Sequence, residues 1–112
     1  MSDERREEFR EMMRGHNRAS YARSPEVYIA SRQLRRARLA GVATERFNPS
    51  EVFDRDNWVC QLCTRPVDRA AQYPDPLSVS LDHIVPIVRG GGHTRANTQC
   101  AHLRCNLIKG VR

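Results

Sequence analysis

The stretch LDHIVPIVRGGGHTRANTQCAHLRCNLIKG, residues 81–110, decides the fold of this chain. It opens with β-branched and apolar residues around Asp82 and His83, which favour a strand, while Pro86 indicates a sheet edge or a break. Three consecutive glycines then predict a flexible loop. The last ten residues predict a short helix that Gly110 closes. The stretch therefore predicts a strand, a loop and a helix, in that order.

The four cysteines all lie in the C-terminal half of the chain, where they offer ligands for a metal ion. Cys60 and Cys63 form a Cys-x-x-Cys turn, which places two thiolates on one side, as half of a tetrahedral zinc site requires. His102 and Cys105 are three residues apart, so one helical turn brings both toward a common ion. The spacing of Cys100 and Cys105 suits a helix poorly. We therefore predict a structural zinc bound by Cys60, Cys63, His102 and Cys105, with Cys100 as a spare thiol; a site of four cysteines is the alternative.

Size and composition agree with a domain that a metal stabilises. The chain has 112 residues, of which 39% are hydrophobic and 6% aromatic, so its core is thin. Small domains of this kind often need a metal or disulfides to stay folded. The sequence contains no apolar run long enough to span a membrane, and its start lacks the apolar stretch of a signal peptide. We therefore expect an intracellular protein whose reduced cysteines bind metal rather than form disulfides.

The charge balance indicates a polyanionic partner. Nineteen Lys and Arg residues against 13 acidic ones give a net charge of +6, and all but one of the basic residues are arginines. Arginine presents a planar fork of donors that suits phosphate, which favours a nucleic-acid partner. A solvated basic surface would explain the same excess of charge.

Upstream of the cysteines, the pattern predicts a helical, Arg-rich extension over residues 1–47, followed by the metal-binding domain over residues 48–112. A charged helix is expected at residues 3–14, then a connector at residues 15–23. A firmer helix is expected at residues 25–40, with Ser24 as its N-cap and Gly41 just past its end. Four arginines gather toward the end of the second helix, as candidate DNA contacts or as part of a solvated surface: Arg32, Arg35, Arg36 and Arg38.

Another helix start follows in NPSEVFDRDN, where Asn48 suits the N-cap and Pro49 the first turn. This short helix leads into the Cys-x-x-Cys turn. Residues 64–77 contain three prolines and predict a loop.

The order of these features, with zinc ligands interleaved, resembles the HNH nuclease family. The matching features are Cys60-x-x-Cys63, Asp82-His83-Ile84-x-Pro86, Gly90-Gly91, Asn97-x-Gln99 and His102-x-x-Cys105-Asn106-x-x-Lys109. They span about half of the chain, residues 52–110. The resemblance implies an α+β fold of the ββα-metal (His-Me finger) type and a metal-dependent endonuclease that cuts double-stranded DNA. It also implies a phage or bacterial protein, located in the cytoplasm of a bacterial host cell.

The resemblance assigns a role to four residues. Asp82 and Asn106 match the ligands of a catalytic divalent cation, His83 matches the general base, and Asn97 matches an asparagine that pins the loop and orients His83. The chemistry agrees, since carboxylate and amide oxygens suit a hard cation and histidine takes up a proton near neutral pH. We expect Mg²⁺, with Mn²⁺, Ni²⁺ or Zn²⁺ as alternatives. Because Asp82 and His83 are consecutive on a strand, a β-bulge or a twist is needed to bring both to one phosphate.

Other polar residues surround this motif. Four basic side chains are candidate phosphate contacts, although solubility explains any one of them equally well: Arg89, Arg95, Arg104 and Lys109. His93, in the glycine-rich loop, is expected to be exposed to solvent; a role in assisting the metal or a phosphate is the alternative.

Two functions of other classes stay open. The chain could be a non-catalytic, zinc-stabilised nucleic-acid-binding module, or a nuclease accessory that is active only with the proteins of a phage DNA-packaging assembly. Cleavage assays across several divalent cations separate the first from an endonuclease. Assays of the chain alone and beside its partners separate the second.

Overall fold

The computed structural model of the protein describes residues 2–13 and 25–111. Its helices and strands are, in chain order, α1 (Asp3–Met13), α2 (Pro25–Ala40), α3 (Pro49–Arg55), β1 (Val79–His83), β2 (Thr98–His102) and α4 (Leu103–Lys109). Two short 3-10 turns, Ile87–Arg89 and Arg95–Asn97, lie in the connection between β1 and β2. Within this described part, no helix is both long and apolar enough to cross a membrane.

The strands β1 and β2 form a two-stranded antiparallel sheet. Their register aligns Val79 with His102 and His83 with Thr98. The chain passes directly from β2 into α4, which packs against both strands. Two antiparallel strands followed by a helix are the ββα unit that the family resemblance implied, so the predicted α+β fold class is confirmed. The predicted start of the last helix was wrong, because residues 101 and 102 pair with β1 and belong to β2.

The hydrophobic core lies between α3 and the sheet. Val52 and Phe53 of α3 are buried against Leu81 of β1 and against Cys100 and Ala101 of β2. Small residues on β2 let α3 approach the sheet closely. The core is as thin as the composition suggested, and the zinc-ligand group lies at its edge, since Cys60 is part of the same cluster.

The helix α3 begins as its sequence predicted. The side chain of Asn48 accepts a hydrogen bond of 3.0 Å from the N–H of Ser50, and Pro49 occupies the first turn. Just beyond its other end, the carboxylate of Asp56 accepts a hydrogen bond of 2.9 Å from the backbone N–H of Cys100. Both contacts fix α3 in place, and the second ties it to β2.

The helix α2 covers the predicted range, and the expected N-cap Ser24 lies outside the described residues. It ends at Gly41, whose φ of 72° is the left-handed conformation that favours glycine. Ala37 is fully buried where α2 packs against the 3-10 turn at Ile87–Arg89. The Arg-rich helix α2 therefore packs against the connection between β1 and β2, on the side where β1 ends.

The helix α1 is held by ion pairs to a buried carboxylate in the proline-rich loop. Arg6 and Arg10 both reach Asp75, at 2.7 and 2.6 Å, and Arg6 also pairs with Asp68 at 3.1 Å. The connector that we expected after α1 lies outside the described residues. The boundary near residue 47 stays a prediction.

Candidate active site and zinc centre

Four side chains from two distant segments meet in one cluster, the Cys₃His group of Cys60, Cys63, His102 and Cys105. Their ligand atoms all lie within 4.8 Å of one another. The Cys-x-x-Cys turn is docked on β2, since the N–H of Gln61 donates to the carbonyl of Cys100 at 2.9 Å. Three thiols and an imidazole at these distances match the donor set of a structural zinc site.

The histidine of this group is held in one orientation by its second ring nitrogen. The Nδ1 atom of His102 lies 3.3 Å from the sulfur of Cys63 and 3.7 Å from that of Cys105. Its Nε2 atom lies 3.0 Å from the backbone carbonyl of Pro66. When Nε2–H donates to this carbonyl, Nδ1 is the unprotonated nitrogen that a zinc ion needs.

A zinc ion would bind these sulfurs as thiolates, so the pKa values of the thiols matter. Burial and the neighbouring sulfur of Cys60 raise the pKa of Cys105 to about 12. Burial also opposes ionisation of Cys60, but backbone N–H groups, led by that of His102, outweigh it and hold the pKa of Cys60 below its usual value. Ionisation of Cys60 thus opposes ionisation of Cys105. A bound dication would stabilise all three as thiolates.

The fourth cysteine, Cys100, lies outside the Cys₃His group. It is completely buried in the core, and burial raises the pKa of its thiol to about 12. Its place on β2, facing α3, makes it a packing residue. The predicted group of three cysteines and His102 is present, and the arrangement of four cysteines is not formed.

A second polar cluster lies beside a cavity of about 120 Å³ at the end of β1. Asp82, His83 and Asn106 line this cavity, so β1 and α4 bring together three of the four residues that the motif singled out. Gln33 and Arg36 from α2 line it as well. Asn97 contacts the loop next to it.

The carboxylate of Asp82 is buried and paired with a cation. The ammonium of Lys109 lies 2.8 and 2.9 Å from its two oxygens, and Gln99 donates to one of them at 2.8 Å. Lys109 also donates to the backbone carbonyl of His83 at 2.6 Å. Lys109, a candidate DNA contact in the sequence, is therefore placed inside the site, where it neutralises Asp82.

The side chain of Asn106 is oriented by β1. Its amide nitrogen donates to the hydroxyl of Ser80 at 2.9 Å and, more weakly, to the carbonyl of Leu81 at 3.4 Å. Because both bonds use the nitrogen, the amide oxygen is the atom left to bind a cation. Asn106 follows Cys105 directly, so the Cys₃His group fixes the helix that presents it.

The imidazole of His83 is paired with a second histidine. Its Nε2 atom lies 3.0 Å from the Nδ1 atom of His93. Burial, together with the charges of His93 and Arg36, lowers the pKa of His83 to about 4, so His83 is neutral at neutral pH. When Nε2–H donates to His93, Nδ1 is the nitrogen of His83 that can accept a proton.

The prediction that His93 is exposed to solvent was wrong. Only 2% of His93 is exposed, and its ring stacks on Phe47 at 4.9 Å between centroids. The segment after α2 holds it in place: the N–H of His93 donates to the carbonyl of Ala43, and the N–H of Glu45 donates to the carbonyl of His93, both at 2.9 Å. The glycine-rich loop is thereby anchored at its far end.

Asp82 and His83 reach the same cavity without a β-bulge. The register pairs each residue from Val79 to His83 with one residue of β2, so no extra residue interrupts the ladder. The strand ends at His83, and the chain then turns around the cavity. Because the strand ends at His83, no bulge is required to bring Asp82 and His83 to the same cavity.

Asn97 fastens the loop between the strands. Its side-chain oxygen accepts from the N–H of Val85 at 3.0 Å, and its nitrogen donates to the carbonyls of Val85 and Gly92 at 3.0 and 2.8 Å. A Cβ atom at Gly91 would lie 1.7 Å from the carbonyl oxygen of Val85, so this close approach requires glycine. These contacts hold the turn after His83, while the imidazole of His83 itself contacts His93 instead.

The remaining candidate phosphate contacts fall into two groups. Arg95 is compensated by two carboxylates, Glu45 at 3.0 Å and Glu51 at 2.6 Å. The side chains of the other arginines are exposed, on α2, on the first 3-10 turn and on α4: Arg32, Arg35, Arg36, Arg38, Arg89 and Arg104.

Gln33 and His93 are the residues of the site that sequence reasoning missed. Gln33 is 48 positions from Leu81, whose carbonyl it contacts. On its helix, the arginines were the candidate functional residues. For His93, the sequence did contain a signal, because a histidine beside three glycines and ten residues from His83 can fold back onto it. The three neighbouring glycines instead predicted an exposed loop.

The fold and the two clusters define a class: a small, zinc-type ββα domain with an Asp-His-Asn cavity. The comparison with protein families agrees, since residues 60–112, a little under half of the chain, match the model described as HNH endonuclease. This part of the chain matches the HNH endonuclease family, and its Cys₃His group fits a zinc-binding member of that family. No curated protein and no solved structure is significantly similar to the chain.

Proposed function

We propose that the chain is a metal-dependent endonuclease that hydrolyses phosphodiester bonds of double-stranded DNA at the cavity beside β1. The observation that carries this proposal is the meeting of Asp82, His83 and Asn106 at one cavity. Hydrolysis needs a base for the attacking water, a stabiliser for charge on the phosphate, and help for the leaving oxygen. The three side chains supply the groups for these tasks.

His83 is the proposed general base. It is neutral, and its Nδ1 atom can take the proton of a water as the water oxygen attacks phosphorus and the bond to the leaving oxygen breaks. The proposed products are a 5′-phosphate and a 3′-hydroxyl. His93 is the proposed positioning residue, because an Nε2–H of His83 that donates to Nδ1 of His93 leaves the Nδ1 atom of His83 unprotonated.

Asp82 and Asn106 are the proposed ligands of a catalytic divalent cation, with Mg²⁺ as the expected ion. Lys109 donates to both oxygens of the Asp82 carboxylate and Gln99 donates to Oδ2, so Oδ1, which accepts one of these bonds, has a second lone pair for a cation. Such an ion, when bound, polarises the phosphate and stabilises the leaving oxygen. Asp82 and Asn106 come from different elements, which lets them hold the ion between strand and helix.

The zinc has a proposed structural role in this reaction. It would join the Cys-x-x-Cys turn to His102 and Cys105 at the start of α4. Asn106 is the next residue, so the position of a cation ligand depends on the zinc cluster.

Arginines around the cavity are the proposed DNA contacts. Arg36 lines the cavity, and Arg89 lies on the exposed 3-10 turn beside it, which places them nearest to a bound phosphate. The exposed arginines further out are proposed to contact the duplex backbone: Arg32, Arg35, Arg38 and Arg104. Arg95 and Lys109 are left out of this set, since carboxylates already compensate their charges.

The test is cleavage of supercoiled plasmid by the purified, zinc-loaded chain in Mg²⁺, Mn²⁺, Ni²⁺ or Zn²⁺. We expect nicked and linear products with at least one of these ions and none after chelation of the added cation. Salt-sensitive DNA binding without cleavage in any of them would contradict the proposal. That result would instead favour the non-catalytic binding module, for which the engagement of both Asp82 oxygens by Lys109 is the supporting observation. Cleavage by the chain alone would also separate it from an accessory that needs phage packaging proteins.

A further inference from the structure

The helix α2 lies outside the part of the chain that matches the HNH family, yet two of its residues line the cavity. Gln33 and Arg36 are three positions apart, so they lie on the same face of the helix. Ala37, also on this side, is completely buried, which fixes α2 against the body of the protein. The face of α2 that carries Gln33 therefore belongs to the wall of the site.

Gln33 carries an unpaired buried oxygen. Its side-chain Oε1 is buried and has no hydrogen-bond partner among the described residues. Leaving a buried polar atom unpaired is costly, so such an atom calls for a partner. Its amide nitrogen, by contrast, is used, since it donates to the backbone carbonyl of Leu81 at 3.3 Å.

The amide of Gln33 lies next to the amide of Asn106. Both nitrogens donate to the same acceptor, the carbonyl of Leu81, at 3.3 and 3.4 Å. Leu81 directly precedes Asp82 on β1, and all four residues line the cavity. The nitrogens of the two amides are fixed on the strand, which leaves their two oxygens as the atoms available to a ligand.

We propose that Gln33 supplies a third oxygen ligand, beside Asp82 and Asn106, to the divalent cation of the cavity. The inference rests on the proposed function, because it takes the cation site as given. Carboxylate and amide oxygens are the ligands that hard divalent cations prefer in proteins. Because Lys109 already compensates the charge of Asp82, this carboxylate attracts a cation less strongly. A third oxygen ligand would add to the affinity of the site for the cation.

This assignment makes α2 a part of the active site. The family-matched segment alone then holds an incomplete cation site, and the Arg-rich helix completes it. Arg36, on the same face and one turn further along α2, brings a positive charge to the position where a phosphate would meet the ion. A structural role for Gln33, with a water on its Oε1, is the competing interpretation.

The experiment measures Mn²⁺ binding to the full, zinc-loaded chain by electron paramagnetic resonance, without DNA. Gln33→Leu removes the oxygen at similar size, and Gln33→Glu keeps an oxygen but loses the amide N–H. Gln72→Leu, at an exposed glutamine of the proline-rich loop, is the matched control. Asp82→Ala tests the cation site itself.

We expect Gln33→Leu to weaken Mn²⁺ binding about tenfold, on the scale of changes at metal sites. Gln33→Glu should bind Mn²⁺ at least as tightly as the wild type, and its melting temperature should rise more on addition of Mn²⁺. Gln72→Leu should bind as the wild type does.

Two results overturn the inference alone. Wild-type affinity in Gln33→Leu, with binding lost in Asp82→Ala, would show a cation site without Gln33. Equal weakening in Gln33→Leu and Gln33→Glu would show that the N–H contact to Leu81 matters, rather than the oxygen. If the wild type binds no Mn²⁺, or if Asp82→Ala binds as the wild type does, both the inference and the proposed cation site fail.

Discussion

At the scale of the residue, the pairing of His83 with His93 has the clearest chemical consequence. A free imidazole has two nitrogens that exchange a proton. When Nε2–H of His83 donates to His93 across 3.0 Å, Nδ1 of His83 is the unprotonated nitrogen, and stacking on Phe47 keeps His93 in place. The reactivity of His83 therefore depends on a neighbour that is itself buried.

We expect His93→Ala to lower kcat about tenfold to a hundredfold, the range seen when the partner of an active-site imidazole is removed. KM for DNA should stay near the wild-type value, because His93 is too buried to contact DNA. His93→Gln, which can restore a hydrogen-bonding atom, should recover part of the rate. The measurement is plasmid cleavage at varied DNA concentration. A rise in KM with unchanged kcat would contradict the positioning role.

The sequence motif predicted those residues of the site that belong to the family pattern. Asp82, His83 and Asn106 were predicted, and the structure brings them to one cavity. Gln33 and His93 were missed, since their roles depend on contacts that the fold creates between separate segments. A spacing pattern carries no information about such contacts.

At the scale of the element, the Cys₃His group links the Cys-x-x-Cys turn to β2 and α4. The turn supplies two sulfurs, β2 supplies the imidazole of His102, and α4 supplies the sulfur of Cys105. α4 has only seven residues, too few for a helix to be stable by itself in water. Its position, and that of Asn106 on it, therefore depends on the Cys₃His group and on packing against the sheet.

We expect Cys100→Ser to keep one zinc per chain and His102→Ala to lose it, as measured by metal analysis after dialysis against a chelator. Cys100 is a core residue outside the Cys₃His group, so its exchange costs some stability but no ligand. His102→Ala removes one of four ligands and the contact with Pro66. Zinc lost from Cys100→Ser and retained in His102→Ala would contradict this ligand set and favour the four-cysteine alternative.

The elements themselves were predictable where local signals are strong. The cap at Asn48 and the glycine at position 41 marked the boundaries of α3 and α2, because capping depends on neighbouring residues. The strand β2 was harder, since a strand needs a partner and residues 98–102 carry mixed polarity. Part of it was assigned to the last helix, and only the pairing with β1 decides the boundary.

At the scale of the whole molecule, the N-terminal helices are attached to the family-matched part by different means. α2 packs beside the cavity through Ala37 and Gln33, whereas α1 is held by charge, through Arg6 and Arg10 on the buried carboxylate of Asp75. The sequence showed an Arg-rich start but not its acceptor. Asp75 is 65 residues from the nearer arginine, so no local pattern connects them.

The pH dependence of stability should report on Asp75. Burial opposes its ionisation, but hydrogen bonds from Arg6 and the N–H of Leu77 outweigh it and hold the pKa of Asp75 below its usual value. A depressed pKa stabilises the folded state above the pKa of the unfolded chain, about 3.9, and this contribution is lost as pH falls through the folded value. We expect Asp75→Asn to lower the free energy of unfolding by about 2 kcal/mol at pH 7, and by less as pH falls below about 3.9.

Urea unfolding of the wild type and Asp75→Asn at several pH values makes this measurement, and the difference between them removes the effect of zinc release. Asp68→Asn is the control, because its pair with Arg6 is more exposed and should contribute under about 1 kcal/mol. A difference that stays constant, or grows, as pH falls would contradict the role of the Asp75 carboxylate.

The central claim is that His83 is the base of a nuclease site, and the rate of plasmid nicking by zinc-loaded His83→Ala tests it most directly. The variant should keep one zinc per chain, since His83 lies at the end of β1, away from the Cys₃His group. It should also bind DNA as the wild type does, because the proposed DNA contacts are arginines. We predict a loss of at least about a hundredfold in rate, the contribution of a general base. Nicking by the folded variant at the wild-type rate would contradict the account.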